Sequence, residues 1–190
     1  MDLTVIAFLA LLLAVAALRI FELRVSRRNQ LRLLAQGAVK VPRPPFRWVV
    51  MVHTGVLIGA ALEVVSLHRP FIPALAACMF AAFLASNLLR LWVVRTMGQH
   101  WNVQVMNSTS LGIITSGPFR FVRHPNYAAV FVEVFSLPLI HTAWLTALFG
   151  SLGYAAAISQ RIAVEEGVLM QNPEYRATMG AKPRFLPGLF

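Results

Sequence analysis

The residues best equipped for chemistry gather in the second half of the chain. Three stretches, Met97-Gly98-Gln99-His100-Trp101-Asn102-Val103-Gln104, then Gly112 to Gly117, then Arg120-Phe121-Val122-Arg123-His124-Pro125-Asn126-Tyr127, bring amides, aromatics, a histidine and arginines together just before an apolar run. Amides and imidazole supply donors and acceptors, and arginine adds a permanent charge, so the set suits a polar ligand carrying an anionic group. Pro125 fits the first turn of a helix, which leaves backbone donors near His124 free for such a group. The same Arg-His-Pro run also serves as a plain interfacial anchor before a membrane span, and alone it names no reaction. Further on, Arg161 and Glu165 stand four apart on an amphipathic helix read from Ser159 to Gln171. They belong to a site or form a surface ion pair worth a few tenths of a kcal/mol.

Other polar side chains interrupt the apolar runs themselves: His53, Glu63, Asn87, Arg90 and Glu133. Such residues are costly in lipid and face a protein interior, where each lines a pocket or neutralises a partner. Asn87 and Arg90 share a helix face, and Glu133 is placed to reach Arg90 across a helix interface.

The elements that must position these groups follow from apolar length. The chain is 58% hydrophobic and 13% charged, which points to lipid rather than water as its solvent. Seventeen Lys and Arg against seven Asp and Glu give a formal charge of +10. That surplus suits nucleic acid or an anionic membrane surface, and the apolar excess decides for the membrane, with membrane lipids as partners and no nucleic acid. The single cysteine, Cys78, excludes an intrachain disulfide and a cysteine zinc site and reads as a small core residue. The N-terminal run lacks a basic leader, so residue 1 onward is read as structure.

A bilayer core of about 30 Å needs roughly 20 helical residues. Leu3 to Phe21, with Arg19 snorkelling to the interface, Trp48 to Leu67 and Phe71 to Val94 each meet that length. Tyr127 to Ile158 would be about 48 Å long as one helix and is expected to fold back at Pro138 and His141-Thr142. The expectation is an all-α integral membrane protein of about five spans, the last two a short hairpin. It forms one membrane domain, with a three-helix part over 1–94 and a site-bearing part over 95–190. Val41-Pro42-Arg43-Pro44-Pro45 is a stiff connector within it. Basic residues cluster after span one (Arg24, Arg27, Arg28, Arg32, Lys40, Arg43, Arg47), after span three (Arg95, Arg120, Arg123) and after the hairpin (Arg161, Arg176, Lys182, Arg184). Arg69 stands on the opposite side. Positive residues stay cytoplasmic, so the N-terminus is expected outside and the C-terminus inside.

Arg123-His124-Pro125-Asn126-Tyr127, then Arg161 with Glu165-Glu166, then Glu174-Tyr175 and Arg184-Phe185-Leu186-Pro187 stand in an order and spacing that resembles the isoprenylcysteine carboxyl methyltransferases. The resemblance covers roughly Met97 to the C-terminus and is specific as a constellation. Arg19, Glu22, Arg27-Arg28-Asn29, Gly37-Ala38 and His53 look more like a bacterial subgroup associated with type III polyketide synthases, which methylates alkylpyrone-type lipids.

The resemblance implies an S-adenosyl-L-methionine-dependent O-methyltransferase in a bacterial inner membrane, with its active site on the cytoplasmic side. It acts on a lipophilic or prenylated acceptor, either an isoprenylcysteine-like carboxylate or an alkylpyrone-type hydroxyl. The implied cofactor residues are Gln104, the stretch Leu111, Gly112, Ile113 and Ile114, then Phe119, His124, Pro125, Asn126, Tyr127 and Glu165. Phe119 departs from the tyrosine often found there and loses its hydroxyl. Arg161 is the implied catalytic and substrate-binding arginine, and Arg184 a second substrate contact. A permanently charged Arg161 would hold an acidic acceptor in its ionised form, so no separate base is required. No glycine-rich strand-to-helix fingerprint is present, so any such cofactor binds between membrane helices and their connectors. Two other readings compete. A reductase of sterol-reductase type would prefer NADPH, and a lipid-binding scaffold would show salt-dependent binding to anionic lipid without a saturable small ligand.

Overall fold

Lipid offers no partner for a bare peptide group, so apolar runs of this length close their hydrogen bonds internally as helices. The computed structural model describes residues 2–41, 46–107 and 112–185. Its elements run α1 (Leu3–Ala35), β1 (Val39–Lys40), α2 (Phe46–Ser66), α3 (Pro73–Met97), β2 (Met106–Asn107), α4 (Pro125–Leu139), α5 (Trp144–Leu169) and α6 (Pro173–Met179). Leu3–Ala35, Arg47–Ser66 and Pro73–His100 are long and apolar enough to cross a membrane. Among the described residues the only strands are β1 and β2, an antiparallel pair of two residues each with Val39 opposite Asn107. Of the Val41-Pro42-Arg43-Pro44-Pro45 connector, residues 42–45 lie outside the described residues.

The first helix outruns its apolar segment. At 1.5 Å per residue, α1 is about 50 Å long against a bilayer core of about 30 Å. Beyond Phe21 its inward stripe changes from apolar to polar, with Ser26, Asn29 and Leu33 buried at helical spacing. The fold-back expected in the last apolar run is present. α4 contains Pro138 and ends at Leu139, and α5 starts at Trp144. Thr142 takes a left-handed φ of 54° in the turn and donates its hydroxyl to the Pro70 carbonyl at 2.6 Å. The amphipathic helix expected from Ser159 is no separate element. It continues α5 without a break, because no glycine or proline interrupts Ser159 to Leu169 except Gly167.

α4 packs against α3 and α5, and α5 packs against α2. Close approach of α2 and α5 depends on small residues: a Cβ on Gly150 would stand 2.5 Å from Val56 Cγ2. One core, including Phe8, Leu12, Val64, Phe83, Leu137 and Ile140, fills the end near the α4–α5 turn. The other joins Val56, Val130, Val134, Tyr154, Ile158 and Ile162. Large apolar side chains such as Leu88, Leu148 and Phe149 point outward, as a lipid-facing surface requires. Cys78 is exposed on α3 rather than packed in the core; two positions past buried Ala76 and five before buried Phe83, it falls on the opposite helix face.

The interrupting charges pair with one another. Glu22 accepts both Arg90 Nε (2.9 Å) and an Arg90 terminal nitrogen (2.8 Å), and also pairs with Arg19. Arg19 reaches Glu133 at 2.8 Å and Asn87 Oδ1 at 3.1 Å. Two expectations are thereby corrected. Arg19 turns inward instead of snorkelling, and Glu133 neutralises Arg19 while Arg90 belongs to Glu22, because α1 supplies the intervening charges.

Glu63 has a different task. Its carboxylate accepts the Leu145 and Thr146 N–H groups at 3.1 and 2.8 Å and the Thr146 hydroxyl at 2.8 Å, while Arg69 binds it at 2.7 Å. A side chain of α2 thus caps the first turn of α5, where free N–H groups and the helix dipole favour negative charge. Glu63→Ala is expected to cost about 2 kcal/mol. Thermal unfolding in detergent micelles checks this, with Glu63→Gln recovering part of the loss.

Candidate functional site

The polar end of the molecule is built where α3 stops. Gly98 takes a φ of 53° and turns the chain out of α3. The following connector is fastened to the projecting end of α1: Asn29 Nδ2 donates to the Trp101 carbonyl at 2.9 Å, and Val103 N donates to Ser26 Oγ at 2.9 Å. Gly117 (φ 57°) begins a 3₁₀ turn over Gly117–Arg120, where a Cβ would lie 2.4 Å from Thr96 Oγ1. Only glycine meets both demands. That turn delivers Arg123 and His124 to the start of α4.

Three side chains from α4 and α5 then form a chain of contacts. Arg161 Nε donates to the Tyr127 hydroxyl at 2.8 Å, and the Tyr127 hydroxyl donates to Glu165. A terminal nitrogen of Arg161 donates to the Val103 carbonyl at 2.6 Å, and its guanidinium lies 5.8 Å from the Tyr127 ring centre. Arg161 and Glu165 share a helix face as their spacing implies, but Tyr127 stands between them in place of a direct ion pair. Arg161 is buried. Tyr154 supports the cluster from below, donating to the Tyr127 carbonyl at 3.4 Å.

Glu166 organises a second group. It accepts His124 Nε2 at 3.0 Å, Arg123 at 3.2 Å and Arg184 at 2.7 Å. The C-terminal segment returns here, its Pro183 and Arg184 carbonyls accepting the Arg123 and His124 N–H groups, each at 2.9 Å. Those two backbone donors, expected to be free for an anion, are therefore taken by the chain itself. Burial raises the Glu166 carboxyl, but hydrogen bonds from His124 and Arg184 and the charge of Arg123 outweigh it and hold its pKa at about 2. A folded-state pKa below the ordinary 4.5 means stability that is present above 4.5 and lost as pH falls from there toward 2. The unfolding temperature is expected to drop over that interval, and Glu166→Gln should flatten the drop.

A cavity of about 750 Å³ opens between these groups and runs on between α1 and α2. Its apolar branch is lined by Leu9, Leu13 and Ala16 of α1 and by Leu57, Ile58 and Leu62 of α2. Its polar end is lined by Trp101, Asn102 and Val103, by Arg123 and by residues of α4 and α5. Between the two, Arg19, Glu22, His53 and Arg90 complete the wall.

Of the residues expected at a site, Phe119, His124, Pro125, Asn126, Tyr127, Arg161 and Glu165 line this one cavity. Gln104, Gly112, Ile113 and Ile114 lie outside its lining, and Leu111 lies outside the described residues. Arg184 is engaged with Glu166 rather than lining the cavity. Arg123, Trp101 and the α1 residues Arg19 and Glu22 line the cavity without having been assigned a site role from sequence. For α1 the signal was available: Arg19, Glu22, Ser26, Asn29 and Leu33 recur at alternating spacings of three and four, the stripe of one helix face.

Comparison with known proteins covers most of the chain. An uncharacterized protein of Bacillus subtilis (strain 168), YpbQ, is 26% identical over 154 residues, covering 80% of this chain and 90% of that protein. An uncharacterized protein of Haemophilus influenzae is 25% identical over 156 residues, covering 82% of this chain and 90% of its own length. The model of the isoprenylcysteine carboxyl methyltransferase (ICMT) family matches residues 76–171. The match begins within α3, earlier than the Met97 from which the motifs alone carry the likeness, and stops before the Glu174 to Pro187 segment. It takes in all of α4 and α5, and with them Arg123, His124, Tyr127, Arg161, Glu165 and Glu166, so the side chains that meet at the polar end of the cavity lie in the part of the chain by which it belongs to the isoprenylcysteine carboxyl methyltransferase family.

Proposed function

We propose that this protein transfers a methyl group from S-adenosyl-L-methionine to an oxygen of a lipophilic acceptor held within the membrane. The observation that carries the reading is the single cavity whose polar end, at Tyr127, Arg161 and Glu165, is continuous with an apolar branch between α1 and α2. A polar ligand and a lipid tail can thus share one cavity, open along its α1–α2 side.

The residues present fit the cofactor. It carries a carboxylate, an ammonium, a sulfonium and ribose hydroxyls, and a buried site must replace the water on each. Glu165 supplies an anionic acceptor, and Arg123 and Asn126 line the same end of the cavity with a guanidinium and an amide. In this reading His124, Pro125, Asn126, Tyr127 and Glu165 hold the cofactor, with Phe119 packing beside it. Gln104 and Leu111 to Ile114 belong to the flanking connector, and their assignment rests on the family resemblance. When bound, the cofactor supplies an electrophilic methyl group.

The protein's own contribution is placement. Arg161, fixed by Tyr127 and the Val103 carbonyl, holds the acceptor oxygen, and alignment of two bound reactants supplies much of the acceleration. The apolar branch keeps water away from the reacting oxygen and takes the acceptor's tail. Arg184, through Glu166 and its carbonyl contact to His124, closes the C-terminal segment against the site. We further take Tyr127 to Ile158, that is α4 and the first part of α5, as a short membrane hairpin, which gives five spans with the N-terminus outside and the site on the cytoplasmic side of a bacterial inner membrane. The clustering of Arg and Lys on the connectors supports this orientation.

Calorimetric titration of the purified, folded protein with S-adenosylmethionine tests the reading. Saturable binding is expected, and its absence would refute the proposal.

A further inference from the structure

Ser26 is buried on α1, beyond the end of the apolar run at Phe21 and outside the lining of the cavity. A serine inside a helix ordinarily returns its hydroxyl to a carbonyl one turn back or points it to solvent. This one turns to the connector instead. Its Oγ accepts the Val103 N–H at 2.9 Å and donates to Asn102 Oδ1 at 3.3 Å, while its carbonyl accepts Asn102 Nδ2 at 3.4 Å.

Asn102 Oδ1 also accepts the Gln104 N–H at 2.7 Å. That N–H and the Val103 carbonyl belong to one planar trans peptide unit and point in opposite directions. Holding the N–H from one side therefore aims the carbonyl to the other, where a terminal nitrogen of Arg161 meets it at 2.6 Å. Arg161 Nε is held by the Tyr127 hydroxyl at 2.8 Å. Two of the three guanidinium nitrogens are thus fixed, and among the described residues no partner takes the third, which is left for an acceptor oxygen. The other tie from α1, Asn29 to the Trp101 carbonyl at 2.9 Å, reaches the connector ahead of this bend and does not touch the Val103 peptide.

We infer that Ser26 is a positioning residue for Arg161: from α1 it sets the bend at Val103 and Gln104, and through that bend the carbonyl that fixes the guanidinium. The inference rests on the reading of Arg161 as the holder of the acceptor oxygen. It makes the projecting end of α1, which lies outside residues 76–171 matched by the family model, a working part of the site.

Initial rates of label transfer from radiolabelled S-adenosylmethionine to the lipid fraction are measured in membranes containing the full-length protein, over a range of cofactor concentration. Ser26→Ala, which keeps the shape and removes the hydroxyl, is expected to lower the maximal rate about tenfold while the half-saturating cofactor concentration moves less than about twofold. A connector that merely loosened would raise that concentration, because Trp101, Asn102 and Val103 line the polar end of the cavity. A second measurement needs no activity: equilibrium unfolding in detergent of Ser26→Ala, Arg161→Ala and the double variant. The increase in the unfolding equilibrium constant of the double variant is expected to fall at least about threefold short of the product of the two single effects, since either change alone already releases the Val103 peptide. An unchanged maximal rate in Ser26→Ala, a half-saturating concentration that rises in step with the loss of rate, or independent effects on unfolding overturns the inference. If the natural protein transfers no label, the methyltransferase reading fails instead, and the unfolding comparison alone decides whether Ser26 holds Arg161 in place.

Discussion

Glu22→Ala is expected to destabilise the protein by about 3–5 kcal/mol, the range for removing one member of a buried ionic group. Glu22 is the hub of the charges carried inside the membrane helices. It holds Arg90 through two hydrogen bonds and Arg19 through a third contact. Without it Arg90, which is buried, has no carboxylate, and Arg19 keeps only Glu133 and Asn87. Glu22→Gln should be nearly as damaging, because an amide keeps the shape but not the charge. Unfolding by denaturing detergent measures the loss. The double variant Glu22→Met/Arg90→Met should be milder than Glu22→Ala, since it removes the stranded charge along with its partner. A loss below about 1 kcal/mol in Glu22→Ala would mean that the network is solvated in the protein.

The second large effect is expected at Arg161. Arg161→Ala should lower turnover by about 10²- to 10³-fold while cofactor affinity changes less than about threefold, because in our proposal it orients the acceptor rather than the cofactor. Glu165→Ala should do the reverse, weakening the cofactor first. Tyr127 couples the two, so Tyr127→Phe is expected to disturb both, leaving Arg161 Nε and Glu165 without the hydroxyl they share. Arg161→Lys should recover little, since an ammonium cannot reproduce the guanidinium's simultaneous contacts to Tyr127 and Val103. Intact activity in both Arg161→Ala and Glu165→Ala would remove these assignments.

Much of this arrangement was legible in the sequence, and the parts that were not share a physical cause. Apolar length located the helices α1 to α3 to within a few residues at most ends, because the bilayer fixes how long a span must be. Pro138 with His141-Thr142 located the hairpin turn because proline disfavours a continuing helix and a polar pair interrupts the apolar run. The end of α1 was missed by fourteen residues, from Phe21 to Ala35. Hydropathy ends where lipid ends, whereas the helix goes on wherever a partner covers its inward stripe. The partner there is the connector at Gly98 to Val103, which Ser26 and Asn29 bind.

The charge pairs failed for a related reason. Glu133 and Arg90 are compatible by type, but a sequence does not say that Arg19 and Glu22 of α1 reach in to take them as partners. In the site itself, Arg161 and Glu165 were placed on one face by their spacing alone. Tyr127, which joins them, comes from another helix and is brought there by the tertiary packing of α4 on α5.

The most direct test uses membranes containing the protein, incubated with radiolabelled S-adenosylmethionine and then extracted for lipid. The account predicts a labelled, organic-soluble product that is formed by the natural protein and almost absent with Arg161→Ala. Folded protein that transfers no label to the lipid fraction, or transfers it equally well without Arg161, would contradict it.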